Sequence, residues 1–136
     1  KNKILWPGIT SEINAFAYDQ NQFYGNDNNH LIITEDKALL GILNSSLIKF
    51  YISNIADFVR GGFIRLKISY IKTVPIPENK NNLKNEISLL VEKRLKAESD
   101  ISVAIEAEID RLVYELYGLT EDEIGIVEEG LEQEIE

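Results

Sequence analysis

The sequence predicts an α+β domain: a small, mostly antiparallel sheet with packed helices, followed by an acidic helical tail. Three observations lead there. Short apolar runs broken by turn residues fill the first third. A strictly alternating stretch lies near residue 65. Apolar residues at helical spacing run from 39 to 51 and again from 87 to 116.

Ile4-Leu5-Trp6 reads as a strand that stops at the turn pair Pro7-Gly8. Ala15-Phe16-Ala17-Tyr18 is a second strand, ending at Asp19. Gln22-Phe23-Tyr24 enters Gly25-Asn26-Asp27-Asn28-Asn29, residues that tolerate left-handed backbone or bond their own main chain. His30-Leu31-Ile32-Ile33 is then the returning strand of a hairpin. Leu39, Leu40, Leu43, Leu47, Ile48 and Tyr51 mark one helical face. Asn44-Ser45-Ser46 interrupts it, and Ser45 is placed to cap a second helix, so this is one helix or two.

In Phe63 to Ile68, Ile64, Leu66 and Ile68 point one way; Phe63, Arg65 and Lys67 point the other. That is a half-buried strand with its cations outward. Val74-Pro75-Ile76-Pro77 must be extended, because each proline lacks an amide donor and biases its predecessor away from helix. Ile87, Leu90, Val91 and Leu95 make one helical stripe. Ile101, Ile105, Ile109, Leu112, Val113 and Leu116 make another, starting near Ser99-Asp100. Gly118 stands where a C-terminal cap belongs, with Leu119 packing back on Tyr114. Thr120 and Glu123 have capping-box spacing for a short final helix. Residues 1–80 form an α/β part and residues 81–136 a helical part of the same domain.

The chain has 136 residues, 44% hydrophobic and 27% charged, with no cysteine. That is the composition of a globular domain without disulfides or thiolate metal sites, compatible with a reducing compartment. No apolar run is long enough to cross a bilayer, so no membrane is expected as a partner. The start at Lys1-Asn2-Lys3 and the lack of methionine point to a piece of a longer polypeptide.

The formal charge of -9 hides an asymmetry. Residues 1–80 carry 9 bases and 7 acids, a balance of +2; residues 81–136 carry 5 and 16, a balance of -11. An acidic total therefore leaves room for a phosphate-rich partner, since affinity follows the local field.

Catalytic signatures are weak. His30 is the one histidine, and alone it reads as structural. There is no glycine-rich nucleotide loop and no nucleophile elbow. Glu78-Asn79-Lys80, with Asp57 upstream, has the Glu-x-Lys form seen in magnesium-dependent nucleases. Three residues match by chance often, so this is a minor alternative.

The stretch Arg60 to Lys72 holds Arg60, Arg65, Lys67 and Lys72 and no acid. Residues two apart on a strand face are separated by about 6.6 Å, close to the spacing of successive phosphates. Gly61-Gly62 permits a sharp turn or a close approach to a ligand. Phe63 and Tyr70 offer flat faces. An outer strand face with solvated cations explains the same pattern, and from spacing alone it is the favoured explanation.

A resemblance shifts that balance. The order Phe16-Ala17-Tyr18-Asp19, Leu40-Gly41-Ile42-Leu43-Asn44-Ser45-Ser46-Leu47, Arg60-Gly61-Gly62-Phe63 through Pro75-Ile76-Pro77, and Glu108-Ile109-Asp110-Arg111-Leu112-Val113-Tyr114 resembles the TaqI-like C-terminal specificity domain. This is the target-recognition module of adenine-specific DNA methyltransferases and type II restriction-modification enzymes. The resemblance implies a non-catalytic chain without its own cofactor or metal. It implies as partners double-stranded DNA and the parent's methyltransferase domain, with a nuclease domain where the parent carries one, in the bacterial cytoplasm. The parent would use S-adenosylmethionine, with magnesium for any coupled cleavage. It implies DNA contact by Arg60, Gly61, Gly62, Arg65, Lys67, Tyr70 and Lys72, mostly to phosphates. The stereotyped segments are expected to shape the fold or grip the backbone. Base readers are expected elsewhere, for instance at Gly25 to His30.

Overall fold

The computed structural model describes residues 2–11, 13, 15–20, 29–59 and 61–135. They form two three-stranded antiparallel sheets and six helices, consistent with the α+β expectation.

β1 (Lys3–Pro7) is the centre of the first sheet, flanked by β3 (Ala17–Asp19) and β4 (Asn29–Ile33). β2 (Ile9–Thr10) opens the second sheet, where it pairs with β6 (Phe63–Arg65), which pairs in turn with β5 (Phe58–Val59). Pro7-Gly8 is therefore a bend and not a chain reversal. One extended run, Lys3 to Thr10, serves both sheets. Leu66 donates its amide to Gly8 O at 2.9 Å, and the buried indole of Trp6 donates to Leu66 O at 2.9 Å. Two bonds thus stitch the sheets together at their crossing point.

The outgoing arm of the expected hairpin ending at His30–Ile33 lies outside the described residues. The returning strand forms and pairs with β1 in the register Leu5↔Leu31 and Trp6↔His30. Residues 21–28, including the outgoing segment and most of the Gly25 loop, lie outside the described residues. Lys3 faces Asp19 across β1 and β3, and their side chains pair at 3.0 Å in a largely buried position.

The 39–51 stripe resolves into two helices, α1 (Lys37–Leu43) and α2 (Ser46–Ile55), bent by 56° at the Asn44-Ser45 break. Ser45 Oγ accepts from Ile48 N and donates to Ile42 O at 2.6 Å. One hydroxyl thereby ends the first helix and starts the second. Asp36 caps α1 through Leu39 N.

β6 ends earlier than alternation suggests. Ile64 and Leu66 are buried as expected, but Ile68 is exposed and begins the one-turn helix α3 (Ile68–Ile71), with Lys67 at its N-cap. The Val74–Pro77 connector carries no helix or strand. α4 (Leu83–Lys96) and α5 (Ser99–Leu116) follow. Ile87, Val91, Ile109, Leu112, Val113 and Leu116 enter the core; Leu95 and Ile101 do not. α4 packs on both α5 and α1. Gly41 makes the second contact possible: a Cβ there would sit 2.8 Å from Ile87 Cγ2 and 2.9 Å from Val91 Cγ2.

The C-terminal punctuation is as the sequence predicts. Gly118 has φ +71°, its amide donates to Glu115 O, and Leu119 N donates to Tyr114 O. This is a Schellman cap. Thr120 and Glu123 exchange bonds of 2.9 and 3.2 Å, closing the capping box. The helix it starts, α6 (Glu121–Ile135), is four turns long and not short. Seating Gly130 against the Phe50 ring, it packs on α2.

Candidate nucleic-acid interface

β5 and β6 are two of the three strands of the second sheet, and the turn between them contains Gly61 and Gly62. Gly61 and Gly62 have φ of +86° and +81°, so the turn needs glycine at both positions. Arg60 lies outside the described residues. The register sets Ile9 opposite Arg65 and Val59 opposite Phe63. With Ile64 and Leu66 turned into the core, Arg65 and Phe63 take the outward face.

That face is partly apolar as well as cationic. Ile9, opposite Arg65, is 53% exposed and Phe63 44%; Phe58, opposite Ile64 and so on the other face, is 64% exposed. Ile9 and Phe58 were not among the residues singled out from sequence. Their signal is faint, because exposure of an isolated apolar residue depends on which sheet edge it falls on.

Lys67 does not extend the strand row as the alternation suggests, since β6 stops at Arg65. From the N-cap of α3, its ammonium reaches Asp57 Oδ2 at 3.4 Å and lies 5.6 Å from the Tyr70 ring centroid. Tyr70 is half-buried, and its hydroxyl accepts from the Asp57 amide at 3.3 Å. Arg65 N donates to Asp57 O at 3.2 Å. Lys72 is exposed at the C-cap of α3, one turn further on. The structure therefore gathers Arg65, Lys67 and Tyr70 around Asp57, with Lys72 beyond them and the glycine turn at the hairpin tip.

Most of the stereotyped segments do other work. Asn44 brackets the Phe16 main chain, accepting from Phe16 N at 3.1 Å and donating to Phe16 O at 2.9 Å. Asp110 accepts from Ser46 N at 2.8 Å and from Ser46 Oγ at 2.6 Å. Burial pushes the Asp110 carboxyl above the usual range, against the pull of the two Ser46 bonds. Tyr117 donates to Pro75 O at 2.6 Å, and burial raises its hydroxyl to about 12. An open cleft of about 440 Å³ lies between Tyr18, Asn44, Ser46, Arg94, Glu106 and Asp110. Its polar groups are committed largely to each other, with Arg94 paired to Glu106 at 3.2 Å.

The nuclease-like triplet has a structural use. Asn79 Oδ1 accepts from Lys84 N at 3.0 Å, and Leu83 N donates to Lys80 O, so Glu78-Asn79-Lys80 belongs to the turn that starts α4. Among the described residues no three histidine or carboxylate side chains converge as a metal site would require.

Residues 1–76 match the TaqI-like C-terminal specificity domain, and the chain belongs to that family. Beyond the matched segment, the similarity continues into the helices. The chain is 30% identical over 130 residues to the type II methyltransferase M.XhoI of Xanthomonas vasicola, covering 92% of this chain and 22% of that protein. It is 27% identical over 133 residues to the type II methyltransferase M.BstVI of Geobacillus stearothermophilus, covering 96% of this chain and 22% of the other. The type II methyltransferase M.PaeR7I of Pseudomonas aeruginosa is 26% identical over 127 residues, covering 89% and 20%. The chain thus spans about a fifth of the length of these curated relatives.

Proposed function

We propose that this chain is the DNA-recognition part of a type II restriction-modification methyltransferase. It holds duplex DNA for methylation by regions outside the chain, which supply the S-adenosylmethionine site and the catalytic motif. The observation that carries the reading is the hairpin surface itself. In a family of specificity domains, Arg65, Lys67 and Lys72 stand exposed on one connected segment beside a two-glycine turn.

Arg65, Lys67 and Lys72 meet phosphates, with Arg60 and the glycine turn close to the backbone and Tyr70 orienting Lys67. Such contacts fix register and orientation but carry no base information. An adenine methyltransferase has to extrude its target base, so something must grip the flanking duplex while stacking is lost. Exposed cations on a strand face and on the helical turn that follows it suit that task.

The test uses the full-length methyltransferase carrying Arg65→Ala and Lys67→Ala together. Binding to its duplex should weaken, and the log–log dependence on salt should flatten by about 1.8 from the loss of two phosphate contacts. Equal affinity and an unchanged slope would remove the assignment.

A second role is compatible with the first. Leu89 (61%), Ile101 (53%) and Val103 (70%) on α4 and α5 are exposed apolar side chains on the helical half, suited to packing on the parent's other domains. Replacing Ile101 and Val103 by serine should weaken association with a separately produced catalytic domain without altering the salt slope.

A further inference from the structure

Between Lys37 and Pro77 the chain carries six cations and one acid, Asp57. That acid lies beside Lys67 and pairs through its main chain with Arg65. Its carbonyl accepts from Arg65 N and its amide donates to the Tyr70 hydroxyl, so the main chain is held from both sides. Its carboxylate projects outward, with the side chain 69% exposed, and touches Lys67 at 3.4 Å. Fold stability does not call for a carboxylate here. An ion pair this exposed contributes little, and both backbone bonds would survive its removal. A negative charge in this position opposes the binding of any polyanion, because it neutralises one cation and repels phosphate.

Resting on the reading of this surface as a duplex-binding one, we propose that Asp57 is a base-discriminating residue. A carboxylate accepts hydrogen bonds and donates none. In the major groove it is matched by the exocyclic amine of cytosine or adenine and by nothing on guanine or thymine. When phosphate draws Lys67 away, Asp57 loses its partner. A site presenting an amine restores one; any other site leaves the charge uncompensated near the duplex. The residue thus works chiefly against wrong sequences, and its repulsion is the larger part of its effect. This gives the hairpin a reading function beside the gripping one carried by Arg65, Lys67 and Lys72.

The experiment compares wild type, Asp57→Asn and Asp57→Ser in the full-length methyltransferase. Each protein selects duplexes from a random-sequence library, and affinity for a non-selected duplex is measured across salt concentrations. Both variants should bind the non-selected duplex several-fold more tightly and steepen its salt slope by about 0.9, one extra phosphate contact. Their selected sequences should relax at one position that is cytosine or adenine in the wild-type selection. An unchanged selected sequence in both variants overturns the inference, whatever the affinity does. If Arg65→Ala with Lys67→Ala weakens binding while the Asp57 variants select as wild type does, the surface binds DNA and only the role of Asp57 falls. If none of the substitutions matters, the duplex-binding surface falls with it.

Discussion

The hairpin surface and the internal joints of this domain are built on opposite plans. At the joints, polar side chains reach across long stretches of sequence to specific main-chain or side-chain partners. Trp6 binds Leu66, Asn44 binds Phe16, Ser46 binds Asp110, and Tyr117 binds Pro75. On the hairpin surface the main chain is pinned, while Arg65, Lys67 and Lys72 stay exposed. The joints use up their hydrogen-bonding capacity in folding; the surface keeps its cations in solvent. On the proposed reading as a DNA-recognition domain, the contrast accounts for why segments such as Leu-Asn-Ser-Ser and Pro-Ile-Pro would be poor guides to base reading. Leu-Asn-Ser-Ser and Pro-Ile-Pro serve joints, and a residue committed to a joint has little left to offer a ligand.

That division can be broken by substitutions on either side. Trp6→Ala should have the largest effect, lowering stability by about 3–5 kcal/mol through lost packing, with Leu66 O also left without its donor. Thermal unfolding would register it, and the folded remainder should keep the wild-type salt slope for DNA. Asp110→Ala should cost about 1–3 kcal/mol, because two Ser46 donors lose their acceptor.

Asp110→Asn separates charge from hydrogen bonding at the same joint. The folded protein holds the Asp110 proton to higher pH than the unfolded chain does. Below the ordinary aspartate range both states are protonated and the penalty is absent. Stability should then decline as pH rises through the window between the ordinary and the raised folded value, and level off above it. Denaturant titrations across that window should show the decline in wild type and not in Asp110→Asn.

Tyr117→Phe should cost about 1 kcal/mol by removing the bond to Pro75 O. The smallest effect on stability is expected from the Arg65→Ala, Lys67→Ala pair, within about 0.5 kcal/mol, since both side chains are exposed. A large loss of stability there, or a lost salt slope in Tyr117→Phe, would erase the distinction between gripping surface and structural joint.

Local chemistry was legible in the sequence because its partners are close along the chain. Ser45, Gly118 and the Thr120–Glu123 box act within four residues, and each does what its spacing implies. Pairing between strands was not legible to the same degree. His30–Ile33 alternates and follows a turn-rich loop, which fits a hairpin, but spacing does not report its pairing with β1, 24 residues away at Trp6↔His30. Nothing local distinguishes those pairings. Ile68 fits the strand period, but the chain turns into α3 after Lys67, and a single helical turn is too short to show its own period. At the candidate interface, Gly61, Gly62, Arg65, Lys67 and Lys72 were placed on the surface from residue type and period. Asp57 entered only as a possible metal ligand. Its setting depends on a bond from the Arg65 amide and one to the Tyr70 hydroxyl, 8 and 13 residues later, which periodicity does not report.

The run from Lys3 to Thr10 that joins both sheets has a consequence during synthesis. Its first half cannot pair with β4 until Ile33 has been made, and its second half waits for Phe63–Arg65, some 55 residues later. At about 5–20 residues per second, that strand spends several seconds emerging or waiting with an open hydrogen-bonding edge. The second sheet is therefore incomplete until the hairpin arrives, and the segment that completes it is the same one that carries the cationic surface.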